Sequence, residues 1–360
     1  MDVSLDHFGV LQIEPTDLCN LSCSMCAPHH EGWEQIHQRP KGRMEIGLFE
    51  RIVDGLADED CRFDHVILQW LGDPSLHPEL ESMVGHLQLR LGDRVGYLRI
   101  DTNAITLTPA RMDRLVEVYR RRPEVPLLLV FTIDAVSAET YLRVKGQDAL
   151  SRVQRHVRHL LRRRARLDGE VNLNVELQFV LQPGNEHEAR PFVEYWSDFL
   201  SCQGAARGHT DIMIKRLSVG AGGPGQLEAD ELYERTCKEQ GIKGEDRGHV
   251  EVKLWERRPW ESTASAGARQ PCPGLWMTPV IRHDGHLMMC CVDLGGELDL
   301  GSLADHSFRE LWEGPTALKR RLDHIEGRFE GLCASCGGIN WYRTTDEVVA
   351  ATLRQGSATK

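Results

Sequence analysis

The sequence predicts an α/β fold, an open and partial barrel of six strand–helix units, followed by a small cysteine-rich module. Three observations predict it. Short apolar or β-branched runs alternate with amphipathic stretches, the runs end in polar residues, and the cysteines that stand close together fall near residue 20 and after residue 271. Alternating βα units form parallel sheets with right-handed crossovers. Six units are too few to close an eight-stranded barrel.

The six strand candidates share an apolar or β-branched run of strand length. They are VLQIEPT (10–16), HVILQWLG (65–72), YLRIDTNA (97–104), LLLVFTIDA (127–135), NVELQFVLQ (174–182) and DIMIKRLS (211–218). Stretches between them, such as 46–57 and 110–122, have the spacing of amphipathic helices. We expect the barrel to occupy residues 1–220, with a linker or insertion at 221–270 that contains one helix at 227–238.

Composition and charge narrow the class of protein. The 360-residue chain carries a formal net charge of −11, from 43 basic and 54 acidic residues, so it lacks a global basic field for nucleic acid. The basic run at 155–166 reads as a solvated helix face. The first ten residues lack a secretory signal, and no apolar run approaches the ~18 residues that span a bilayer. We expect a cytoplasmic protein with no nucleic-acid or membrane partner, whose eleven cysteines serve metal binding or catalysis.

Polar residues collect at the carboxyl ends of the strand candidates, where barrels of this kind carry out chemistry. The residues concerned are Gly72, Asp73 and Pro74 after strand two, Asp101, Thr102 and Asn103 on strand three, Thr132 and Asp134 on strand four, Gln178 and Gln182 on strand five, and Lys215 and Arg216 on strand six. Their convergence on one rim predicts a binding site there.

Strand one runs into the stretch EPTDLCNLSCSMC (14–26), which places Cys19, Cys23 and Cys26 at C-x3-C-x2-C spacing. Three thiolates cannot complete a tetrahedral zinc site, nor can they bind all four irons of a cubane cluster. Two interpretations remain open. Either His29 or His30 completes a Cys3His zinc site, or one iron of a [4Fe–4S] cluster stays open for an exogenous ligand.

These residues resemble those of the radical S-adenosylmethionine (radical SAM) enzymes, from the first strand to about residue 345. In that family a C-x3-C-x2-C loop follows the first strand of a partial (β/α)6 barrel of the TIM type, and SAM binds the open iron. The resemblance implies that Cys19, Cys23 and Cys26 ligate the cluster and that Met25 lies beside the adenine.

Three rim segments resemble SAM-binding segments of the family. LGDP (71–74) is similar to its Gly-Gly-Glu-Pro segment, which implies that Asp73 faces the SAM ammonium with a shorter side chain than the glutamate. DTNA (101–104) is similar to Thr-Asn-Gly, and FTIDA (131–135) is similar to Ser-Ile-Asp. The cofactor-binding residues expected from the rim are Met25, Gly72, Asp73, Pro74, Asp101, Thr102, Asn103, Thr132, Asp134 and Gln178.

A second cysteine set lies at 271–345. Cys272 and Cys290 flank a predicted β-hairpin whose turn uses Gly285 with a positive φ, and GLCASC adds Cys333 and Cys336. Four cysteines can complete either a zinc site or a [4Fe–4S] site. The set therefore predicts a closed metal centre, in contrast to the open triplet.

The order of this set resembles the SPASM/twitch extensions of radical SAM enzymes, which implies an auxiliary [4Fe–4S] cluster. No cysteine follows Cys336, which favours the twitch form with one auxiliary cluster, and Trp312 matches a tryptophan common in that form. Residues 346–360 are expected to form a tail. Four cysteines remain; Cys61, Cys202 and Cys237 read as passive, and Cys291 as passive, a spare ligand or a hydrogen-atom donor.

The resemblance implies reductive cleavage of SAM to methionine and a 5′-deoxyadenosyl radical, which abstracts a hydrogen atom from the substrate. A flavodoxin or ferredoxin would supply the electron. The complete second cluster favours oxidation of the substrate, so we expect an oxidoreductase of the dehydrogenase kind. Epimerisation with a cysteine hydrogen donor, peptide maturation and a zinc-stabilised binding protein without enzyme activity remain alternatives.

The expected substrate is a small polar molecule. Twitch-type relatives act on aminocyclitols and aminoglycosides in antibiotic biosynthesis, whereas the peptide-modifying relatives often carry an N-terminal leader-recognition domain. Here the first strand begins about ten residues in, which leaves no room for one, and the acidic composition favours a cationic substrate. The candidate catalytic residues are Lys215, Arg216 and His77, for substrate contact or as the base, and Cys291.

Overall fold

Six parallel strands follow one another in the sheet in the order of the chain. The computed structural model describes residues 7–29, 33, 39–167, 170–202, 209–218, 224–255, 269–336, 338 and 342–358. The strands are β1 His7–Ile13, β2 Arg62–Ile67, β3 Val95–Thr102, β4 Leu127–Thr132, β5 Leu173–Leu181 and β6 Thr210–Arg216. The predicted α/β fold is confirmed. Each strand ends earlier than predicted, because the polar residues at its end leave the ladder and form other contacts.

Helices connect these strands and lie on one face of the sheet. They are α1 Ile46–Asp58, α2 Leu80–Leu91, α3 Pro109–Arg120, α4 Ala138–Lys145, α5 Leu150–Ala165, α6 Ala189–Ser201 and α7 Pro224–Glu239. α1 buries Phe49, Ile52, Val53 and Leu56, which recur at helical spacing. The helices predicted at 46–57, 110–122 and 227–238 are thus confirmed.

The basic run of α5 is only partly the solvated face that its composition predicts. His156 and Arg164 point inward and are buried. The Arg164 guanidinium donates to the carbonyl of His209 at 2.9 Å and to the Thr210 hydroxyl, so it connects α5 to the start of β6. A buried arginine is retained where its donors find acceptors.

The two faces of the sheet differ in chemistry because side chains alternate along each strand. One face is apolar and packs against the helices; Phe179 of β5, for example, lies 5.1 Å from Phe192 of α6, centroid to centroid. The opposite face, called here the inner face, is polar. Asp101 of β3, Glu176 of β5 and Lys215 of β6 all project from it. The alternation therefore places charged side chains inside the curved sheet.

The segment predicted as a linker adds two more strands. β7 Glu245–Asp246 pairs antiparallel with β8 Glu251–Leu254, and β8 pairs parallel with β6. A four-residue strand carries too little periodicity to be recognised from sequence. Residues 221–223 and 256–268 of the predicted linker lie outside the described residues.

The cysteine-rich module extends the same sheet at its other edge. Its elements are α8 Gly274–Met277, β9 Val280–Ile281, β10 His286–Met288, β11 Asp299–Ser302, α9 Phe308–Trp312, α10 Pro315–Ile325, α11 Leu332–Ser335 and α12 Asp346–Ala358. The predicted hairpin is confirmed as β9–β10, and Gly285 has a φ of +83° in its turn. β9 pairs parallel with β1, so the module lies directly beside the strand that leads into the Cys19 loop.

Aromatic side chains join α9 to the barrel. The ring of Phe8 on β1 lies 5.2 Å from that of Phe308 and 5.8 Å from that of Trp312, and it stacks on Phe63 at 5.4 Å. Phe8 is buried by these rings. Within the described residues, no helix is long and apolar enough to cross a bilayer.

The Phe8→Ala substitution should lower the free energy of unfolding by about 3–5 kcal/mol, because it leaves a cavity among three aromatic rings. Thermal and denaturant unfolding would measure the change. Leu89→Ala is the control, since Leu89 is 56% exposed on α2 and should change stability by less than about 0.5 kcal/mol. Equal losses of stability from the two substitutions would contradict the conclusion that Phe8 packing holds α9 against the barrel.

Candidate active site

The three N-terminal cysteines lie in one loop between β1 and α1. Backbone turns order it, with Cys26 N donating to Cys23 O at 3.1 Å and His29 N donating to Cys26 O at 2.9 Å. Burial, and then the neighbouring Cys23 and Cys19 thiols, raise the pKa of Cys26 to about 12. Burial likewise raises the pKa of Cys19 to about 11. Three converging thiols, of which that of Cys23 is buried and that of Cys19 is exposed, suit a cationic iron cluster, which would stabilise them as thiolates.

The loop lies against the carboxyl end of α4. Ser22 N donates to Lys145 O at 3.2 Å and Ser24 N donates to Val144 O at 3.0 Å, which satisfies carbonyls at the end of the helix. Gly146 makes the approach possible. Its φ is +73°, and a Cβ there would overlap the Ser22 hydroxyl and lie 2.8 Å from the Ser22 carbonyl oxygen. The helix end therefore determines where the cysteines lie.

A buried ion pair lies beneath this loop. The Lys145 ammonium contacts the Asp134 carboxylate, and both side chains are almost fully buried. Val180 N also donates to Asp134 Oδ1 at 2.6 Å. Asp134 was predicted to contact SAM, and this prediction is wrong for the structure described, because 0% of Asp134 is exposed. Its carboxylate neutralises Lys145 instead, as a buried charge requires.

The LGDP loop lies against the chain that enters the cysteine loop. Asp73 N donates to Leu18 O at 2.9 Å. A Cβ at Gly72 would overlap the Thr16 carbonyl oxygen and lie 2.6 Å from that of Leu18, so only glycine fits there. Pro74 begins a short 3-10 turn at 74–76 and is buried. The structure thus brings the first and second strand ends together, as the sequence predicts.

The Asp73 carboxylate connects the second and third strand ends. Asp73 Oδ1 accepts from Ser75 N and from the Thr102 hydroxyl, both at 2.9 Å, and Oδ2 accepts from Asn103 N at 2.7 Å. Asn103 Nδ2 in turn donates to Asn20 Oδ1 at 2.8 Å, inside the cysteine loop. Contact between Asp73 and the SAM ammonium stays a prediction.

The remaining cofactor-binding candidates lie on the inner face or beside the loop. Asp101 forms a bidentate pair with Arg99, at 2.6 and 2.7 Å. Thr132 and Gln178 are paired neighbours on β4 and β5, and Gln178 Oε1 accepts no hydrogen bond within the described part of the chain. Met25 Sδ lies 3.3 Å from Gln182 Nε2. These positions are compatible with the predicted contacts and do not test them.

Two of the candidate catalytic residues are occupied by structural contacts. His77 is buried; its Nδ1 accepts from Glu79 N at 3.1 Å, so its Nε2 donates to Met44 O at 2.8 Å. Burial lowers the pKa of His77, which keeps the ring neutral. The prediction that His77 contacts substrate is therefore wrong for the structure described.

Arg216 also differs from its prediction. It points to the helix side of β6, where its guanidinium lies 2.5 Å from Asp230 Oδ1 and stacks 3.6 Å above the ring of Trp255. Alternation along the strand places its neighbour Lys215 on the inner face. Of the two basic residues, only Lys215 faces the interior, and the substrate contact predicted for Arg216 is wrong here.

A buried charge network that sequence reasoning missed links three loops. Arg39 Nη2 lies 2.6 Å from Glu14 Oε2, and His283 N donates to the same oxygen at 3.2 Å. Leu71 N donates to Glu14 Oε1 at 3.4 Å, and the His283 ring lies 3.5 Å from Asp17. Two carboxylates directly before the cysteines, in EPTDLC, were the available signal. The network connects the cysteine loop, the LGDP loop and the hairpin turn.

The second cysteine set converges from three segments. Burial, and then the thiols of Cys290, Cys272 and Cys336, raise the pKa of Cys333 to about 11. Gly338 N donates to Cys336 Sγ at 3.4 Å. Four thiols close together, of which that of Cys290 is buried, can supply all the protein ligands of a tetrahedral or cubane centre. The structure thus contains one set of three thiols and one of four, and the open coordination position of the first set stays a prediction.

The spacing of the cysteines suits clusters better than zinc. Among the described residues, the group of three potential ligands whose atoms all lie within 4.8 Å is His209, Asp211 and Glu251, which contains no cysteine. Zinc held at about 2.3 Å by tetrahedral thiolates brings sulfurs to within about 3.8 Å of one another. His29, a zinc-ligand candidate, is exposed, and His30 lies outside the described residues.

The two cysteine sites are joined by one tryptophan. Trp70, two residues before Gly72, donates its indole N–H to the carbonyl of Cys291 at 2.9 Å. Cys291 also hydrogen-bonds to the Cys290 thiol, and together with burial this raises the pKa of Cys290. The loop of the second set is thereby anchored to the strand end that carries LGDP.

Comparison with known proteins identifies both domains. The radical SAM superfamily model matches residues 13–173, and the model of the iron–sulfur cluster-binding SPASM domain matches residues 272–337. The chain therefore contains a radical SAM domain followed by a C-terminal SPASM domain. These domains indicate SAM and [4Fe–4S] clusters, one of them an auxiliary cluster in the SPASM domain, so the predicted resemblance and cofactors are confirmed. The SPASM match disfavours the alternative of a zinc-stabilised binding protein.

Two curated relatives share part of the chain. A tungsten-containing aldehyde ferredoxin oxidoreductase cofactor-modifying protein of Pyrococcus furiosus is 32% identical over 108 residues, 30% of this chain and 27% of that protein. A GTP 3′,8-cyclase of Corynebacterium glutamicum is 29% identical over 206 residues, 54% of this chain and 48% of that protein. The chain therefore matches about half or less of the length of each.

Solved structures share the fold at low identity. SuiB of Streptococcus suis bound to precursor peptide SuiA has a TM-score of 0.53 and 11% identity, covering 91% of this chain and 69% of that one. anSMEcpe with bound AdoMet and the Cp18Cys peptide has a TM-score of 0.51 and 15% identity, covering 96% and 95%. BtrN in complex with AdoMet and 2-DOIA has a TM-score of 0.47 and 14% identity, covering 92% and 94%.

Gly146→Ala should impair assembly of the N-terminal cluster, because the added Cβ displaces the cysteine loop from α4. Iron content after anaerobic reconstitution and the rate of SAM cleavage would measure it. Gly241→Ala is the matched control; its φ is +63°, but nothing lies within 4 Å of its Cβ. Both substitutions should cost about 1–2 kcal/mol from backbone strain. Only Gly146→Ala should lose iron, and equal iron loss in both would contradict the proposed support.

Proposed function

We propose that this radical SAM enzyme dehydrogenates a carbinol carbon of a small polar substrate of the aminocyclitol or aminoglycoside class. The observation that carries the proposal is the second cysteine set, in which four thiols converge. A cluster closed by protein ligands cannot bind SAM, so it suits the other requirement of the reaction, an electron acceptor. Its loop is hydrogen-bonded through Trp70 to the strand end that carries the SAM-binding segment.

We assign Cys19, Cys23 and Cys26 to the SAM-binding cluster. The auxiliary cluster is assigned to the four thiols of Cys272, Cys290, Cys333 and Cys336. When bound, the first cluster and SAM supply a radical that takes a hydrogen atom from the substrate, and the auxiliary cluster supplies an electron acceptor. The twitch form, with this one auxiliary cluster, is part of the proposal.

We assign Lys215 as the base that accepts the proton released when the substrate is oxidised. It projects from the inner face of β6 and makes no ion pair within the described residues. Burial, and then the nearby Arg99, lower the pKa of Lys215. A lysine with a lowered pKa is neutral more often than a free lysine, and the neutral amine can accept a proton from a substrate hydroxyl, as general bases do.

Epimerisation is the second candidate, because one thiol lies beside the auxiliary set. The Cys291 side chain is half-buried and hydrogen-bonds to Cys290. A thiol there can return a hydrogen atom to a substrate radical. However, Cys291 also packs with Trp70, Val280 and Met288 on the β9 side of β1, away from Glu176, Gln178 and Lys215 on β5 and β6. We therefore favour dehydrogenation.

The reaction also needs an electron for SAM cleavage. We propose a flavodoxin or ferredoxin as the donor and the cytoplasm as the compartment, since reduced thiols are maintained there. Peptide maturation is the outcome to test against, because SuiB and anSMEcpe were both solved with peptides.

Cysteine variants separate the two clusters in one experiment. The wild-type protein, reconstituted anaerobically, should hold about eight irons per chain, the content of two [4Fe–4S] clusters. Cys19→Ala should abolish SAM cleavage. Cys333→Ala should keep about four irons and SAM cleavage but lose ketone formation, which also shows that the variant folds. Cys202→Ala is the control, because Cys202 is exposed and lies outside both sets.

The mass of the product distinguishes dehydrogenation from epimerisation. Incubation with SAM, reductant and an aminocyclitol in deuterated water should give a product that has lost two hydrogen atoms. Gain of one deuterium without oxidation would establish epimerisation instead. Ketone formation that survives in Cys333→Ala would overturn the role given to the auxiliary cluster.

A further inference from the structure

Three polar side chains on the inner face have no protein partner. Glu176 and Lys215 form no hydrogen bond or ion pair within the described residues, and Gln178 Oε1 accepts none. Glu176 is 8% exposed and Gln178 is 4% exposed. Buried polar groups in native proteins are almost always paired, so the unpaired and buried Gln178 Oε1, next to two charged groups that form no ion pair, indicates a ligand site.

Their positions on neighbouring strands place them on one surface. Glu176 and Gln178 are two residues apart on β5 and therefore project on the same side. Gln178 is in register with Met213 of β6, and Lys215 lies two residues further along the same face. Thr132 of β4 is in register with Gln178 on the other side. The three groups thus lie near the rim to which the cysteine loop also belongs.

The neighbouring charged residues on β3, Arg99 and Asp101, already pair with each other. Arg99 and Asp101 bond each other through two contacts of 2.6 and 2.7 Å. Asp101 is in register with Val130, which is in register with Glu176. Arg99 therefore directs its hydrogen-bond donors at Asp101, and Glu176 receives only through-space attraction from Arg99 and Lys215. The Arg99–Asp101 pair borders the site, whereas the side chains of Glu176, Gln178 and Lys215 remain available to a ligand.

Titration agrees with an incomplete site. Burial raises the pKa of Glu176 and lowers that of Lys215, so each group disfavours its charged form while no partner is present. A ligand that supplies a cation to Glu176 would reverse the effect on this carboxylate, while a neutral Lys215 amine can accept a hydrogen bond from a substrate hydroxyl. The ligand-free protein retains these two unfavourably buried groups, as is typical of binding sites.

We propose that Glu176, Gln178 and Lys215 recognise a substrate that carries a protonated amine next to a hydroxyl or carbonyl oxygen. This inference rests on the proposed function and specifies its substrate. The amine donates to the Glu176 carboxylate and to Gln178 Oε1, and the oxygen lies against Lys215. Phosphorylated substrates are disfavoured, because Asp101 and Glu176 would repel them and Arg99 is occupied.

The proposal is tested by two probes that differ in one group. scyllo-Inosamine and scyllo-inositol share a ring and differ by an ammonium in place of a hydroxyl. Calorimetry on the reconstituted full chain with SAM should give binding of the amine at least about tenfold tighter, because charged hydrogen bonds are stronger than neutral ones. Equal affinity for the two probes would overturn the proposal.

Variants then assign the groups. Glu176→Gln should weaken the binding of scyllo-inosamine by about tenfold or more and leave the affinity for scyllo-inositol unchanged. Lys215→Met should weaken the binding of both probes, because both carry oxygens. Glu228→Gln and Lys243→Met are the matched controls, since both residues are exposed and lie outside the site. An effect of Glu176→Gln that is equal on both probes would contradict amine recognition.

Two readouts exclude a merely structural role. Because the empty site disfavours the Glu176 carboxylate, Glu176→Gln should leave the melting temperature unchanged or raise it. A lowered melting temperature would assign Glu176 to stability and overturn the proposal. SAM cleavage is measured on the same samples: if it persists while neither probe binds, the recognition proposal is wrong and the radical chemistry stands. If a serine peptide binds in a Glu176-dependent manner and the amine does not, a small-molecule substrate is excluded.

Discussion

The parallel pairing of β9 with β1 is the contact on which both metal sites depend. β1 leads directly into the Cys19 loop, and the β9–β10 hairpin leads directly into Cys290. Because the two strands share a ladder, the position of one cysteine set determines the position of the other. The Glu14 carboxylate strengthens this contact by binding Arg39 and the backbone of the hairpin turn at His283. Without it, two separately folded cysteine loops would have no defined distance between them.

Buried charges in this protein divide into two groups with different consequences. Asp134 with Lys145, and Arg99 with Asp101, are matched pairs whose partners satisfy them. Such pairs hold loops and strand ends in position, and loss of one partner leaves a costly buried charge. Glu176 lies on the same sheet and forms no ion pair within the described residues, and Arg99 and Lys215 attract it only through space. A protein gains no stability from an unmatched buried carboxylate, so its presence is better explained by a ligand than by the fold.

Much of the fold and of the metal sites can be predicted from sequence, because their signals are local. Strand and helix periodicity, the C-x3-C-x2-C spacing and the glycine of the hairpin turn depend on neighbouring residues. His77, Asp134 and Arg216 could not be assigned in this way. Each is a polar residue near a strand end, yet Met44, Lys145 and Asp230 respectively occupy its polar atoms. These partners lie 33, 11 and 14 positions away in the chain, respectively, and on other elements, so only packing reveals them.

The sequence by itself determined the alternation of strands and helices, the two cysteine sets and the difference between three ligands and four. These follow from residue type and spacing, which act over a few positions. Only the tertiary structure decided that the hairpin joins the sheet at β1 and that β8 extends it at β6. It also decided which rim side chains form hydrogen bonds or ion pairs with neighbouring residues and which remain available to a ligand. The reason is physical: a polar side chain binds the nearest complementary group, and the fold, not the spacing in the chain, decides which group is nearest.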